Sequence, residues 1–208
     1  MRMFRPLLMG EGQLPDEYTR INWIQSDKNQ YLDLGAISTS GVHRFSVDML
    51  LPTATNQATT VFGGRHDTPV IRRLGNMYFN QQMSQGIWIG TSVGLLTQAH
   101  TVNQRFQYSI EVDEPTQTIT TDYNGLIRSA PFTGSTITPG SIFLFGVNLN
   151  GSPSERGTFR VFGFRIWIDG IFARDLIPVI DRFNEPLMFC NTTQTAYRNK
   201  GTTPFTWG

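Results

Sequence analysis

Apolar and polar residues alternate with a period of two from one end of this 208-residue chain to the other, which limits the possible fold more than any other feature. In Phe106 to Asp113 the even positions are apolar or aromatic and the odd positions are polar. His43 to Leu51 alternates in the same way. Successive side chains of a strand point to opposite faces, so each segment predicts a strand with one buried face. No segment has the apolar spacing of a long amphipathic helix.

Turn signals separate the alternating segments. Asn124-Gly125 and Asp169-Gly170 are residue pairs that favour the primed turns of β-hairpins. About a dozen short strands, with turn signals every 8–12 residues or so, are typical of a sandwich or a jelly roll. The 20 Gly and 11 Pro are spread along the chain, and we identify neither a linker nor an internal repeat. The sequence therefore predicts one all-β domain, an antiparallel β-sandwich.

The last quarter of the chain carries the most detailed strand predictions. Phe159 to Asp169 is expected to be one strand with its core face formed by Phe162, Phe164, Ile166 and Ile168. The opposite face would then carry Val161, Gly163, Arg165, Trp167 and Asp169. A second apolar run, Ile171 to Ile180, is interrupted by Arg174-Asp175 and is expected to close at Pro178. Upstream, Ser141 to Leu149 is predicted to be a single strand.

Composition excludes several classes of function. The 17 basic and 16 acidic residues nearly cancel, so no electrostatic footprint for nucleic acid or an anionic membrane is visible. No apolar run reaches the eighteen or so residues of a membrane span. The single Cys190 excludes an internal disulfide and a multi-cysteine metal cluster, and we expect a buried, inert thiol. The apolar run of the first residues, Pro6 to Met9, is too short for a secretory leader, so we assign it to the mature protein.

Segments at both ends of the chain resemble a known family. Tyr18 to Gly35 resembles the opening motif of LamG-like, concanavalin A-like domains found in bacteriophage virion proteins and bacterial surface proteins. Phe145-Gly146-Val147-Asn148, Gly163 to Trp167 and Arg174 to Pro178 are similar to later strands of that family. Asn199 to Phe205 is similar to its closing motif. The resemblance implies a concanavalin A-like jelly roll.

The resemblance also implies a role. Small phage structural proteins have similar starts, which implies a docking arm over residues 1–15 and a sandwich over residues 16–208. The arm would attach to other virion proteins through Phe4, Leu7, Leu8 and Met9. The expected function is a non-enzymatic virion protein, such as a capsid decoration, head fibre or tail appendage, assembled in the host cytoplasm and displaying a lectin-like sandwich to host or mucosal glycans. A homo-oligomer is expected, with a trimer as one form. A secreted or surface lectin is the main alternative.

Glycan binding would need flat aromatic rings beside a few polar groups. The sequence offers Trp167 with its neighbour Arg165, and also Trp88 and Tyr123. The competing interpretation is that the arm or another subunit covers Trp167. Arg165, Arg174 and Asp175 would in that case form a structural ion pair near the end of the domain.

A glycoside hydrolase is the third alternative. Laminarinase-like enzymes of similar fold place three acidic residues at i, i+2 and i+4 of one strand, so that all three enter one cleft. Here the acidic residues are Glu111, Asp113 and Glu114, and the third would point away from the first. The pattern favours a solvated strand end.

Neither a metal nor a cofactor is expected. His43, His66 and His100 lack metal-ligand spacing, and no serine has a nucleophile-elbow motif. The loops 122–125 and 148–152 lack the dense acidic pattern of a calcium site.

Overall fold

The computed structural model of this chain describes residues 13–37, 41–52, 59–66, 72–79, 84–89, 92–94, 101–133 and 141–208. For the described residues from His66 to Gly94 it describes the backbone alone. The predicted arm residues Phe4, Leu7, Leu8 and Met9 lie outside the described residues, as does His100.

The described residues form nineteen strands and no helix, and hence no helix that could cross a membrane. The first ten are β1 (Tyr18–Arg20), β2 (Ile24–Gln25), β3 (Leu32–Ala36), β4 (Val42–Leu50), β5 (Thr59–His66), β6 (Arg72–Phe79), β7 (Ser84–Ile89), β8 (Ser92–Gly94), β9 (Arg105–Asp113) and β10 (Thr118–Tyr123). The others are β11 (Leu126–Pro131), β12 (Ser141–Leu144), β13 (Val147–Leu149), β14 (Ser152–Ser154), β15 (Arg160–Ile168), β16 (Ile171–Asp181), β17 (Pro186–Cys190), β18 (Thr195–Tyr197) and β19 (Thr206–Trp207).

Two sheets pack face to face. The larger follows the order β11-β10-β9-β4-β15-β16-β17-β18, with β1, β2 and β19 added at its side. The smaller follows β14-β13-β5-β6-β7-β8, with β12 beside β5 and β3 beside β12. Neighbouring strands are antiparallel throughout the described residues except β13 and β5. The predicted all-β antiparallel sandwich is confirmed.

The core lies between the inward faces of the two sheets. Phe62 of the smaller sheet stacks between Phe45 and Phe164 of the larger, with both ring centroids 5.1 Å away. The alternation predicted for β4 and β9 is confirmed, since their apolar faces are almost completely buried. Cys190 is buried as expected. Burying these large side chains is the main favourable contribution to folding.

A β-bulge in β15 corrects the predicted core. The register against β4 shifts between Val161 and Gly163. Val161 is therefore fully buried, whereas Phe162 is only half-buried and lies under the guanidinium of Arg105, 3.9 Å from the ring centroid. A bulge adds one residue to one strand, so the side chains before it point to the opposite face from the one that alternation predicts. Alternation alone carries no sign of this extra residue.

Two other strand predictions were wrong. Ser141 to Leu149 is two strands, because the chain turns at Phe145, which adopts a φ of 71° and is completely buried. The run after Ile171 does not close at Pro178 but continues to Asp181. Pro178 is tolerated because β1 has replaced β15 as the neighbour of β16 there. The Pro178 carbonyl accepts a hydrogen bond from the Ile21 N–H, just past the end of β1.

The outward side of the larger sheet is itself partly covered. Ile177, Val179, Leu187 and Phe189 form a second apolar cluster on β16 and β17. Leu14 and Tyr18 pack on it, with the Tyr18 ring 5.0 Å from that of Phe189. Leu14 lies within the predicted 1–15 arm, so at least the end of that segment packs against the sandwich. The described residues of this segment, 13–15, make no ring contact with Trp167.

Candidate functional site

A tight hairpin at the end of β15 positions Trp167 on the outer face of the larger sheet. Asp169 and Gly170 have φ values of 50° and 76°, as the Asp-Gly signal predicted for a primed turn. Asp169 also reaches β4, since its Oδ1 accepts a hydrogen bond from the Val42 N–H at 2.8 Å. Gly41 has a φ of 102°, which residues with a side chain rarely adopt, and a Cβ there would also overlap this carboxylate. The hairpin is thus tied to β4 beside Trp167.

Three side chains from three strands meet at Trp167. The half-buried Trp167 ring packs at a tilt against Phe172 of β16, with 5.1 Å between centroids. Arg44, opposite Trp167 on β4, places its Cζ atom 5.5 Å from the centre of the indole. A guanidinium at this distance is attracted to the ring face. We call Arg44, Ser109, Arg165, Trp167 and Phe172 the outer-face patch.

Arg165 of the patch is bonded to Asp175 of β16. Its Nε donates a 3.0 Å hydrogen bond to Asp175 Oδ1, and its side chain is 51% exposed. The other carboxylate oxygen of Asp175 accepts a hydrogen bond from Asn191 Nδ2 at 2.9 Å. The predicted ion pair therefore forms between Arg165 and Asp175. Arg174 points elsewhere and donates to the carbonyls of Leu34 and Ala36 on β3.

Several guanidinium donors of the patch have no partner among the described residues. The Nη2 of Arg44 donates to Ser109 Oγ at 3.2 Å. Glu111 stands opposite Arg44 on β9, but neither it nor any other carboxylate of the described residues forms an ion pair with Arg44. Both Nη nitrogens of Arg165 lack a hydrogen bond to any described residue. Arginine donors of this kind match the geometry of carboxylate and hydroxyl oxygens.

Arg105 on the same face shows the contrasting arrangement. Its Nε and Nη2 donate to both oxygens of Asp48 at 2.7 Å and 2.6 Å. The hydrogen bond to Asp48 raises the pKa of Arg105 by more than burial lowers it, and the charge of Asp48 raises it a little further. Its ring partner is Phe162. Arg105 is thus committed to its own carboxylate, whereas Arg44 is not.

The four residues predicted for glycan binding do not form one site. Trp167 and Arg165 lie together on the outer face. Tyr123 lies on the core side of β10, where its ring is 5.5 Å from Phe106 and partial burial raises its pKa. Trp88 belongs to β7 of the smaller sheet, where only the backbone is described.

The sequence prediction missed Arg44 and Phe172. Arg44 does stand at an outward position of the His43 to Leu51 alternation, which was a usable signal. Only the strand register, however, places it opposite Trp167. Phe172 reaches the patch because β16 carries an extra residue, Ala173, where its register against Ile166 and Trp167 of β15 shifts.

The acidic segment Glu111 to Glu114 closes a turn at the end of β9. Glu111 faces outward on β9, and Glu114 lies beyond the end of that strand. Asp113 Oδ1 accepts a hydrogen bond from the Thr116 N–H at 3.0 Å and so closes the turn. The three carboxylates do not line one strand face as a hydrolase trio would.

No cluster of three metal-ligating side chains occurs within the part of the chain that the structure describes. The two loops considered for calcium use their side-chain oxygens for their own turns. Asp122 Oδ1 accepts a hydrogen bond from the Gly125 N–H at 2.8 Å, and Asn148 Oδ1 accepts one from the Gly151 N–H at 2.7 Å. These are ordinary side-chain-to-backbone turn bonds.

Comparison with solved structures finds similar sandwich folds at low sequence identity. Neither a family model nor a curated protein sequence matches this chain. Among solved structures, a putative carbohydrate-binding protein from Bacteroides ovatus is similar at 10% identity and a TM-score of 0.60, over 91% of this chain and 60% of that one. The CBM40 module of the Ruminococcus gnavus IT-sialidase is similar at 10% identity and a TM-score of 0.53, over 76% of this chain and 92% of the module.

A third similar structure is the NanB sialidase of Streptococcus pneumoniae, with 11% identity and a TM-score of 0.56 over 75% of this chain. This chain spans only 26% of that sialidase and 60% of the Bacteroides ovatus protein. At such identities the likeness concerns the fold alone. The fold is therefore a lectin-like sandwich of the kind seen in carbohydrate-binding modules.

Proposed function

We propose that this chain is a carbohydrate-binding protein, and that its outer-face patch binds a glycan carrying a carboxylate. The observation that carries the proposal is the position of Arg44, which lies over the ring of Trp167 without a carboxylate partner among the described residues. A positive charge kept beside a half-exposed aromatic ring suits a ligand that is apolar on one face and anionic at one end.

Each side chain of the patch has a role in this proposal. The exposed part of the Trp167 ring contacts the C–H face of a sugar ring, and Phe172 supports the indole from the side. Arg44 and the free Nη nitrogens of Arg165 donate hydrogen bonds to the carboxylate and to sugar hydroxyls. Because the ion pair with Asp175 already restricts the Arg165 side chain, this side chain loses little conformational freedom when the glycan binds.

The similar structures support this class of ligand. One of them is the Ruminococcus gnavus CBM40 module bound to α2,3-sialyllactose, at a TM-score of 0.52 over 73% of this chain. Sialyllactose carries a carboxylate, whereas lactose does not. Sialyllactose is therefore the acidic probe for this site, and lactose is its neutral counterpart.

The test compares substitutions on one face of one sheet. We expect Trp167→Ala and Arg44→Gln each to weaken binding of α2,3-sialyllactose at least about tenfold, the equivalent of roughly 1.4 kcal/mol. Arg105→Gln is the matched control, since it also removes one positive charge from the outer face, but from a guanidinium already paired with Asp48. It should bind like the wild type. Titration calorimetry or ligand-observed NMR measures each affinity.

Two results would overturn this assignment. One is wild-type affinity in both the Trp167→Ala and Arg44→Gln proteins. The other is no binding of any acidic glycan by the wild type, on an array that also carries neutral glycans, at ligand concentrations up to the millimolar range, about where the weakest specific sites are found.

The virion role stays a prediction from the sequence resemblance. The solved structures described above are sialidases and carbohydrate-binding proteins, and none of these is a phage protein. A glycan-binding sandwich is compatible with display on a virion and with a surface lectin. Neighbouring genes separate the two, because capsid or tail genes indicate a virion protein and polysaccharide-utilisation genes indicate a lectin.

A further inference from the structure

The strand β11 leaves one side of the larger sheet open. It pairs with β10 and with no other strand among the described residues. Its six residues keep a regular register with β10 and contain no bulge. Leu126 and Ile127 are 46% and 65% exposed, and they are two of the five large apolar side chains most exposed among the described residues. A regular, partly apolar edge strand is a template for pairing with another chain.

The hydrogen bonds of the hairpin show which backbone groups face outward. The Phe132 N–H donates to the Gln117 carbonyl at 2.9 Å, so the backbone N–H and C=O of Phe132 face β10. Backbone groups of an antiparallel strand alternate in direction, and therefore those of Ile127, Ser129 and Pro131 point to the open side. Pro131 has no N–H to offer, and the open side is where a strand tolerates proline. Ile127 and Ser129 present both a donor and an acceptor.

We propose that β11 pairs with β11 of a second copy of this chain, forming a two-fold dimer with one continuous sheet. With Ser129 opposite the partner's Ser129, these two residues exchange two backbone hydrogen bonds. Each Ile127 N–H then donates to the carbonyl of the partner's Pro131, which makes four bonds in all. Ile127 packs beside the partner's Pro131, so exposed apolar surface meets apolar surface.

This register also avoids like charges. A shift that centres the pair on Arg128 sets two guanidinium groups directly opposite each other, which is unfavourable. In the Ser129-centred register Arg128 instead lies beside the partner's Ala130. A two-fold pair uses the same strand from both copies and leaves neither copy with an open β11, so the assembly closes as a dimer.

The dimer has a consequence for glycan binding that rests on the proposed function. A two-fold axis perpendicular to the sheet keeps both outer faces on the same side. Nine strand spacings of about 4.8 Å separate the two β15 strands, so the two Trp167 rings lie roughly 40 Å apart. Two sites facing one way would bind a glycan-coated surface with higher avidity than a single site.

The test uses a proline at an outward-facing position. Ser129→Pro removes the N–H that would bond to the partner but none that bonds to β10. Ser129→Ala is the matched control, because both variants lose the side-chain hydrogen bond to Thr120 and only the proline loses the N–H. Ile127→Lys is a second variant, which places a charge at the open side without altering the backbone.

Sedimentation and light scattering without any glycan measure the mass over about 1–100 µM, the range of ordinary reversible dimers. The wild type and Ser129→Ala should have twice the 23.5 kDa monomer mass, whereas Ser129→Pro and Ile127→Lys should be monomers with an unchanged circular dichroism spectrum. A monomeric wild type, or a folded Ser129→Pro or Ile127→Lys dimer, would overturn the proposal. Because no glycan is present, these outcomes are independent of the proposed binding activity.

Discussion

At the scale of single residues, the segment around Gln30 meets the closing segment at Gly201. Gln30 Nε2 donates to Thr203 Oγ1 at 2.6 Å and to the Pro204 carbonyl at 2.9 Å. Asn199 Oδ1 accepts hydrogen bonds from the N–H groups of Tyr31 and Gly201. The opening and closing motifs that carry the family resemblance are therefore partners in space. Their side chains serve the closure of the sandwich.

We expect Gly201→Ala to destabilise the protein by about 1–3 kcal/mol, because a Cβ at this position would overlap the carbonyl of Asn29. The clash involves backbone, which cannot move aside as a flexible side chain can. Urea denaturation measures the change. Gly163→Ala is the control, since the added Cβ would approach only the Leu176 carbonyl, at an ordinary 3.7 Å. Equal stabilities of the two variants would contradict this account.

At the scale of elements, a buried carboxylate organises the turn between β16 and β17. Asp181 Oδ1 accepts hydrogen bonds from the N–H groups of Phe183 and Glu185, at 2.9 Å and 3.0 Å. Its Oδ2 accepts one from Arg198 Nη1 at 2.7 Å, and only 4% of the side chain is exposed. Burial acts to raise the pKa of Asp181, but the hydrogen bonds from Arg198, Glu185 and Phe183 outweigh it, and the pKa is lowered overall.

This lowered pKa predicts acid sensitivity. A carboxyl whose pKa is lower in the folded than in the unfolded state stabilises the fold above its unfolded value of about 4 and loses that contribution as the pH falls through the folded value. We expect Asp181→Asn to cost about 1–3 kcal/mol at pH 7, with the gap to the wild type narrowing below about pH 4. Denaturation midpoints from pH 7 to pH 3 measure the gap.

Glu185→Gln is the control for this experiment. Glu185 also lies 3.2 Å from Arg198, but 69% of its side chain is exposed, so the substitution should change stability by less than about 0.5 kcal/mol. A gap between the wild type and Asp181→Asn that stayed constant down to pH 3 would show that the ionised carboxylate is not the source of the stability.

At the scale of the whole molecule, the larger sheet is covered on both sides at one end. Its inner face packs on the main core, and the second cluster lies under Leu14 and Tyr18 on the outer face. The outer-face patch lies on the same face, outside that cluster. Within the described residues this face therefore has an apolar part under Leu14 and Tyr18 and a separate part that carries arginine and aromatic side chains.

Removing the ring of Tyr18 should weaken this cover. We expect Tyr18→Ala to destabilise the protein by roughly 1.5–3 kcal/mol, less than a fully buried aromatic because Tyr18 is half-exposed. Tyr18→Phe keeps the ring contact with Phe189 and should stay close to the wild type. Chemical denaturation compares the three proteins. Similar stabilities for Tyr18→Ala and Tyr18→Phe would mean that the ring adds nothing to the cluster.

Local patterning was sufficient to predict the fold class, the strands β4 and β9, and the turns at Asn124-Gly125 and Asp169-Gly170. Each of these depends on side-chain alternation or on backbone preferences of adjacent residues, which a sequence records directly. The position of Trp167 outside the core was predictable for the same reason. Its partner Arg44 was not, because 123 residues separate the two in the chain.

The tertiary structure decided where alternation breaks and which outward residues become neighbours. The bulge at Phe162 moves that ring out of the core, and the turn at Phe145 divides one predicted strand into two. Both follow from the fit of one strand against its neighbours, and no local residue preference encodes such a fit. By itself, the sequence determined that this chain is a sandwich of strands. Register and packing decided that Arg44 lies over Trp167 and that Arg105 is paired with Asp48.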